Sequence, residues 1–174
     1  MRTLAIGDIH GCSRALHALL ANIDPQPDDV IITLGDYVDR GPDSSGVFDC
    51  LIKLVERCQI IPLLGNHDLM MRNARDDLAA FDEWVRAGGA QTLESYHAGM
   101  NWRDFQTVIP PHHWYFLDEV CIPYHEIDTH FFVHANAYPD LPLDEQPEYM
   151  LFWERLSNEV APHESGKTMI YGHT

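Results

Sequence analysis

The chain has 174 residues, of which 45% are hydrophobic and 22% are charged, and its formal net charge at neutral pH is -16. This profile is typical of a soluble globular protein, and we expect residues 1–174 to form a single domain with its own core. An acidic surface repels nucleic-acid backbones, and no apolar stretch approaches the roughly 20 residues that cross a membrane, so neither is an expected partner. The oligomeric state stays open.

In the first half of the chain, short apolar runs alternate with amphipathic segments. Residues 2–6, 30–34 and 60–64 predict three short strands, of which the first two are expected to be buried. Serines placed before the amphipathic segments predict two capped helices between these strands. This β-α-β-α-β order is typical of a parallel sheet with crossover helices. The strand ends lie about 30 residues apart, so the loops that follow them should meet at one edge of the sheet.

The serines predicted as caps are Ser13, for a helix to residue 22, and Ser44 or Ser45, for a helix to about residue 57. Helical patterns then dominate residues 69–117. Three tryptophans at helical positions are expected in the core, where aromatic side chains usually pack: Trp84, Trp102 and Trp114. The elements expected after them are two strands, a short helix and a last strand, at residues 120–126, 130–134, 149–155 and 167–171.

Four scattered cysteines form no CxxC pair, which is typical of reduced thiols in a cytoplasmic protein. The histidines are more informative. A lone histidine is more often a surface or core residue than a ligand, but four of them stand directly after predicted strands, where functional residues collect: His10, His67, His134 and His173. The others receive no role: His17, His97, His112, His113, His125, His130 and His163.

Side chains that can bind metal ions follow the predicted strands. They are Asp8, His10, Asp36, Asn66, His134 and His173. Carboxylate, amide and imidazole groups suit divalent Mn, Fe and Zn, and six ligands suit two adjacent metals that share one carboxylate. Asp36, on the middle loop, is the natural bridge. Two dications held by two carboxylates leave a positive centre that can bind a phosphate dianion inside an acidic protein.

Five motifs in order resemble those of the calcineurin-like metallophosphoesterases, and more narrowly the bacterial branch of the phosphoprotein phosphatases. They are GDIHG at residues 7–11, GDYVDRG at 35–41, GNHD at 65–68, VHA at 133–135 and GHT at 172–174. The resemblance implies an α/β fold in which helices flank a β-sandwich. It also implies that the chain is truncated, because family members continue with C-terminal strands that close the second sheet.

The resemblance also implies a dinuclear metal centre. One metal would be held by Asp8, His10 and Asp36, and the other by Asp36, Asn66, His134 and His173. The two divalent ions are expected to be Mn2+, with Fe or Zn as alternatives.

Four further residues would act on the substrate. Asp39 would orient His67, which resembles the catalytic acid of the family, and Arg40 would bind the phosphate oxygens. Arg155 is a weaker candidate for the same task, because residues 153–155 (WER) resemble a later phosphate-binding motif.

The expected function is that of a phosphoric ester hydrolase, a serine/threonine protein phosphatase that uses a metal-activated hydroxide. Its substrate would be a phosphorylated protein or a small phosphoester. The alternative is a symmetrical dinucleoside polyphosphate (diadenosine tetraphosphate) hydrolase. Leu64 and Asp68 favour this alternative, because the protein phosphatases usually have arginine and glutamate there. A further alternative is an inactive, truncated domain that only binds metal or phosphate.

Overall fold

Two three-stranded sheets and the helices around them form the fold of the computed structural model, which describes residues 1–157 and 161–173. The first sheet is parallel, in the order β1 (Thr3–Ile6), β2 (Val30–Thr33), β3 (Gln59–Pro62). The second sheet has the order β4 (Tyr124–Glu126), β5 (His130–Val133), β6 (Thr168–Ile170), with β4 antiparallel and β6 parallel to β5. The α/β class and the parallel arrangement of the first half are confirmed.

Helices connect the strands and form a long segment between the two sheets. The crossover helices of the first sheet are α1 (Ser13–Ile23) and α2 (Ser44–Leu54). The helices after β3 are α3 (Asn66–Ala74), α4 (Leu78–Trp84), α5 (Ala90–Ser95), α6 (Trp102–Val108) and α7 (Pro111–Tyr115). Two π-helical turns, Val85–Gly89 and Phe116–Val120, extend α4 and α7. A 3-10 turn, Leu143–Glu145, and a short helix, α8 (Glu148–Phe152), lie between β5 and β6.

Several details of the first half differ from the sequence-based expectation. β1 is an edge strand on which Thr3 and Ala5 are exposed, so the prediction of a buried first strand is wrong, whereas β2 lies in the centre and is buried as predicted. The serine caps are also wrong. The α1 N-cap makes no side-chain hydrogen bond, and Ser13 donates instead to the Asp43 carboxylate. Asp43 is the cap of α2, where it accepts from the backbone nitrogen of Gly46 at 2.9 Å.

Two apolar clusters hold the molecule together. The larger one joins α1, α2 and the helical segment, and the fully buried Trp84 belongs to it, as predicted. In the smaller cluster, Ile32 of β2 and Leu63, which follows β3, pack against Phe132 of β5 in the second sheet. A backbone hydrogen bond from Ile122 to Pro62 (2.9 Å) also ties the two sheet regions together, so the ends of β2, β3 and β5 face a common site. Among the described residues, none of the helices has the length and apolar character needed to span a lipid bilayer.

Candidate metal centre

The loops after β1 and β2 run side by side, as the spacing of the strands predicts. The backbone nitrogens of Ile9 and His10 both donate to the carbonyl oxygen of Asp36, at 3.0 and 2.7 Å. The third loop presses against the second at Gly35, whose φ is +92° and where a Cβ atom would lie 2.4 Å from the nitrogen of Gly65. Only glycine fits such an approach at a positive φ. The convergence of the three loops is therefore fixed by backbone contacts.

Asp68 anchors this convergence from beneath. Its fully buried carboxylate accepts backbone hydrogen bonds from Gly65 (2.9 Å), Asp36 (2.7 Å) and Tyr37 (2.9 Å). These three donors belong to two different loops, so the side chain of Asp68 locks the second loop to the third. The aspartate in the GNHD motif thus has a structural task.

Asp36 lies between two groups of potential metal ligands. Its Oδ2 atom is 3.4 Å from Nε2 of His10, and its Oδ1 atom is 3.6 Å from Nε2 of His134. The carboxylate is almost fully buried, and this desolvation raises the pKa of Asp36. A cation on each side would favour the ionised form. One oxygen towards each group is the arrangement expected for a carboxylate that bridges two metals.

One of these groups consists of Asn66, His134 and His173. Oδ1 of Asn66 lies 3.0 Å from Nε2 of His134 and 3.1 Å from Nδ1 of His173. Ligands about 2.1 Å from a metal are separated by about 3.0 Å along an octahedral edge and about 3.4 Å along a tetrahedral edge. The atoms are therefore spaced as ligands of one ion would be.

Backbone carbonyls orient both histidines of this group. Nδ1 of His134 lies 2.7 Å from the carbonyl oxygen of Leu34, and Nε2 of His173 lies 3.2 Å from that of Trp153. A proton on each of these nitrogens donates to the carbonyl and leaves the lone pair of the other nitrogen for a metal. Burial lowers the pKa of both histidines, which favours the neutral, ligating ring.

On the other side of Asp36, the guanidinium of Arg40 lies between His10 and His67. Nη1 donates to Nε2 of His10 and Nη2 donates to Nε2 of His67, each at 2.9 Å. Because arginine has no acceptor, both Nε2 atoms must carry lone pairs and the protons must lie on Nδ1. These protons are donated to the carbonyl oxygen of Val38 at 2.8 Å and to Asp39 at 2.7 Å. Nε2 of His10 thus carries a lone pair of the kind that binds a metal, and Arg40 occupies the space in front of it.

Asp8, the first of the predicted metal ligands, contacts the last loop of the described chain. Both of its carboxylate oxygens accept from the backbone nitrogen of His173, at 3.2 Å. Within residues 1–157 and 161–173, the two groups of ligand atoms around Asp36 that lie within 4.8 Å of one another are His10–Asp36–His67 and Asp36–His134–His173. Asp8 belongs to neither group and instead ties the first loop to the last.

Asp39 and His67 form a buried pair next to these groups. Oδ2 of Asp39 accepts from Nδ1 of His67 at 2.7 Å, and the two side chains are 0% and 5% exposed. Two residues that the sequence did not single out for function complete the environment of this carboxylate. Trp84 donates its indole N–H to both oxygens, at 2.9 and 3.0 Å. Thr92 donates its hydroxyl at 2.8 Å and accepts from the backbone nitrogen of Asp39 at 2.8 Å.

Arg155 is not brought to this site by the structure. Its side chain is exposed, and among the described residues no hydrogen bond or ion pair connects it to the predicted ligands. The segment before it does reach the site, since the carbonyl oxygen of Trp153 contacts His173. The role of Arg155 in phosphate binding stays a prediction.

A cavity of about 640 Å³ lies between α3 and Trp153. Its charged lining residues are Arg72, Arg75, Asp76, Asp77 and Glu148. Both arginines already pair with Asp118, with N–O distances of 3.0 and 2.7 Å. Three carboxylates and two guanidiniums that are already paired with Asp118 therefore line the cavity, and its walls are acidic on balance.

Comparison with known proteins places the chain among phosphoesterases. A family model described as calcineurin-like phosphoesterase matches residues 1–174. The chain is similar to serine/threonine-protein phosphatase 1 of Salmonella typhimurium, with 30% identity over 178 residues that cover 97% of this chain and 76% of the relative. It is also similar to the symmetrical bis(5'-nucleosyl)-tetraphosphatase of Photorhabdus laumondii, with 51% identity over 71 residues that cover 40% of this chain.

In the tetraphosphatase match the chain spans about a quarter of the relative's length, 25%. One solved structure, described provisionally as a diadenosine tetraphosphatase, is 25% identical with a TM-score of 0.67 and covers 98% of this chain and 74% of that chain. The two-sheet architecture predicted from the resemblance is thereby confirmed.

Proposed function

The chain belongs to the calcineurin-like phosphoesterase family, and we propose that it hydrolyses phosphate monoesters on serine or threonine side chains of proteins with the help of two divalent metal ions. The observation that carries this proposal is the buried Asp39–His67 pair beside Asp36. A serine or threonine alkoxide leaves poorly unless it is protonated, so its release needs a positioned acid.

The residues around Asp36 fit a pair of metals. Asp8, His10 and Asp36 would hold one ion, and Asp36, Asn66, His134 and His173 would hold the other. When bound, the metals would supply positive charge for the phosphoryl oxygens and lower the pKa of water. The nitrogen and oxygen donors suit Mn2+, and they also accept Fe or Zn.

His67 would deliver the proton to the leaving oxygen. Its Nδ1–H is held by the carboxylate of Asp39 at 2.7 Å, which fixes the orientation of the ring and of Nε2. The proton to be transferred must reside on Nε2, the atom to which Arg40 donates. When Arg40 turns to a phosphate, Nε2 becomes free to take up that proton. The planar guanidinium suits two phosphate oxygens at once, and the exposed side chain has room to move.

The cavity beside α3 favours a protein substrate over a dinucleotide. A dinucleoside tetraphosphate in this cavity would bring further negative charges next to three carboxylates and next to two arginines that are already paired with Asp118. A phosphorylated peptide with neutral or basic neighbours would meet no such repulsion.

A second candidate function is symmetrical hydrolysis of dinucleoside polyphosphates. The tetraphosphatase match over the first motifs favours it, and so does Leu64, which is 6% exposed and packs in the core in place of an arginine. Asp68, which stands where the protein phosphatases usually have glutamate, also favours it. A nucleotide is a better leaving group than an alkoxide, so this reaction should depend less on His67.

The proposal is tested by comparing wild type and His67→Asn with Mn2+ on a phosphoserine peptide and on diadenosine tetraphosphate. We expect wild type to favour the peptide in kcat/KM, and the substitution to lower peptide turnover by about 10²–10⁴-fold with a smaller loss on the dinucleotide. Preference for the dinucleotide would support the second candidate. Absence of turnover on both substrates, with two metals bound by calorimetry, would support the inactive metal-binding domain. Cytoplasmic location stays a prediction.

A further inference from the structure

A third group of metal-binding side chains lies outside the site described above, on the helices. It consists of Asp49 on α2 and of His112 and His113 on α7, whose potential ligand atoms all lie within 4.8 Å of one another. Asp49 and His112 are exposed, whereas His113 is 1% exposed. We propose that these three side chains bind a borderline divalent cation such as Zn2+, separately from the centre around Asp36.

The distances are those of metal ligands. Oδ1 of Asp49 lies 3.3 Å from Nε2 of His113. Zinc binds imidazole nitrogen and carboxylate oxygen at about 2.0–2.2 Å, so the atoms of two tetrahedral ligands are separated by about 3.3–3.5 Å. The same 3.3 Å is longer than the usual nitrogen–oxygen hydrogen bond. The pair is thus better spaced to share a cation than to share a proton.

The buried histidine is oriented for this task. Nδ1 of His113 lies 2.7 Å from the hydroxyl of Tyr96, and this contact directs Nε2 towards Asp49. A ligand histidine usually has its second nitrogen bonded in this way, which fixes both its tautomer and the plane of its ring. Burial lowers the pKa of His113, which favours the neutral form that binds metals. The ring of His112 stands edge-on at 4.3 Å from that of His113 and can present a second nitrogen from the solvent side.

The donor set distinguishes this site from one for Mg2+ or Ca2+. Two imidazoles and one carboxylate favour zinc, cobalt, nickel or copper over ions that prefer oxygen ligands alone. Three protein ligands leave a fourth position open to water, because Asp49 and His112 face the solvent.

A cation there would connect α2 with α7. Tyr96, which orients His113, directly follows α5, and α5 carries Thr92, a hydrogen-bond donor to Asp39. The ion would therefore brace the helical segment that supports the Asp39–His67 pair, and it should raise thermal stability. This inference does not depend on which substrate the protein hydrolyses.

Equilibrium dialysis against Zn2+ followed by metal analysis tests the proposal on the full chain. We compare wild type with Asp49→Asn/His112→Asn, which changes two exposed residues, and with His112→Asn alone. The matched control is His97→Asn, because His97 is exposed and has a positive φ (55°) that asparagine tolerates.

We expect wild type and His97→Asn to bind one more Zn2+ per chain than the double variant, and His112→Asn to bind it more weakly. The extra ion should raise the Tm of wild type and of the control, and the double variant should lose this increment. With Co2+, the absorption bands of tetrahedral cobalt should be weaker in the double variant. Equal zinc stoichiometry and equal Tm shifts in wild type and the double variant would overturn the proposal.

Discussion

The replacement of Trp84 by phenylalanine should show whether Trp84 supports the Asp39–His67 pair or only packs in the core. Trp84 is fully buried and donates its indole N–H to both oxygens of Asp39, at 2.9 and 3.0 Å. Phenylalanine keeps most of the aromatic contacts and removes this donor. The carboxylate keeps its bonds to His67 (2.7 Å) and Thr92 (2.8 Å), so it is weakened but not left without partners.

The magnitude follows from these contacts. A hydrogen bond to a buried charged group contributes about 1.5–3 kcal/mol to stability, and the smaller ring leaves a cavity that adds about 1 kcal/mol. We therefore expect a loss of about 2–4 kcal/mol in the free energy of unfolding, which a typical domain survives. If the freed carboxylate shifts and the transition state loses about 1.4 kcal/mol, kcat for an ester with a poor leaving group falls about tenfold.

The assay compares phenyl phosphate with 4-nitrophenyl phosphate, whose leaving group hardly needs an acid. Phe105→Leu is the matched control, because Phe105 is fully buried and its ring lies 4.9 Å from that of Trp84 without touching Asp39 by a hydrogen bond. Both variants should unfold at lower denaturant concentration, but only Trp84→Phe should lose more activity on phenyl phosphate than on 4-nitrophenyl phosphate. An identical ratio of the two activities in both variants would refute the positioning role of Trp84.

Three further predictions follow from other contacts. Arg40→Ala should raise KM for a phosphopeptide by about 10–100-fold, since two charged hydrogen bonds to phosphate are lost; an unchanged KM would exclude Arg40 as the phosphate ligand. Arg2 holds the pKa of Asp29 well below its usual range, so this carboxylate stabilises the fold above about pH 4 and the effect is lost as pH falls towards the folded pKa. The Tm deficit of Asp29→Asn should therefore be largest at pH 7 and shrink in acid, and a deficit independent of pH would contradict this. Gly35→Ala should cost at least about 3 kcal/mol in unfolding experiments, whereas Gly7→Ala, with no atom within 4 Å of the added methyl group, should cost far less.

The sequence was sufficient for those parts of the site that depend on chain topology. The spacing of three strands predicted that the first three loops would meet, and it placed Asp36 between them, where the structure has it. The side chains of His134 and His173 also converge with Asn66 as the resemblance implied. In each case the residues come together because their backbone lies at the end of a strand. The hydrophobic periodicity of the sequence and the spacing of the strands predict that position.

Contacts that depend on side-chain direction were not predictable. Asp8 stands at the expected strand end, but its carboxylate turns to the backbone of His173. Ser13 stands at the start of a helix, but its hydroxyl bonds Asp43, which belongs to the next helix. Trp84 and Thr92 reach Asp39 across 45 and 53 residues of sequence, and nothing in their local pattern distinguishes a donor from a core residue.

The helical segment after β3 is as much a part of the site as the loops that carry the motifs. Asp39 and Arg40 both have positive φ values, 72° and 64°, a conformation that costs about 1–2 kcal/mol for each residue that is not glycine. Hydrogen bonds to the helical segment offset this strain. The backbone nitrogen of Asp39 donates to Thr92, and that of Arg40 donates to the carbonyl oxygen of Gly88 at 3.2 Å.

These bonds explain how two neighbouring side chains can meet at the same imidazole ring. Asp39 bonds Nδ1 of His67 while Arg40 bonds Nε2 of the same residue. The left-handed pair of residues makes this possible, and residues 84–92 hold it in place. Substitutions in this segment should therefore alter catalysis although they change no residue of a motif. We also expect the shape of this segment, and the acidic cavity between α3 and Trp153, to determine which substrates are accepted.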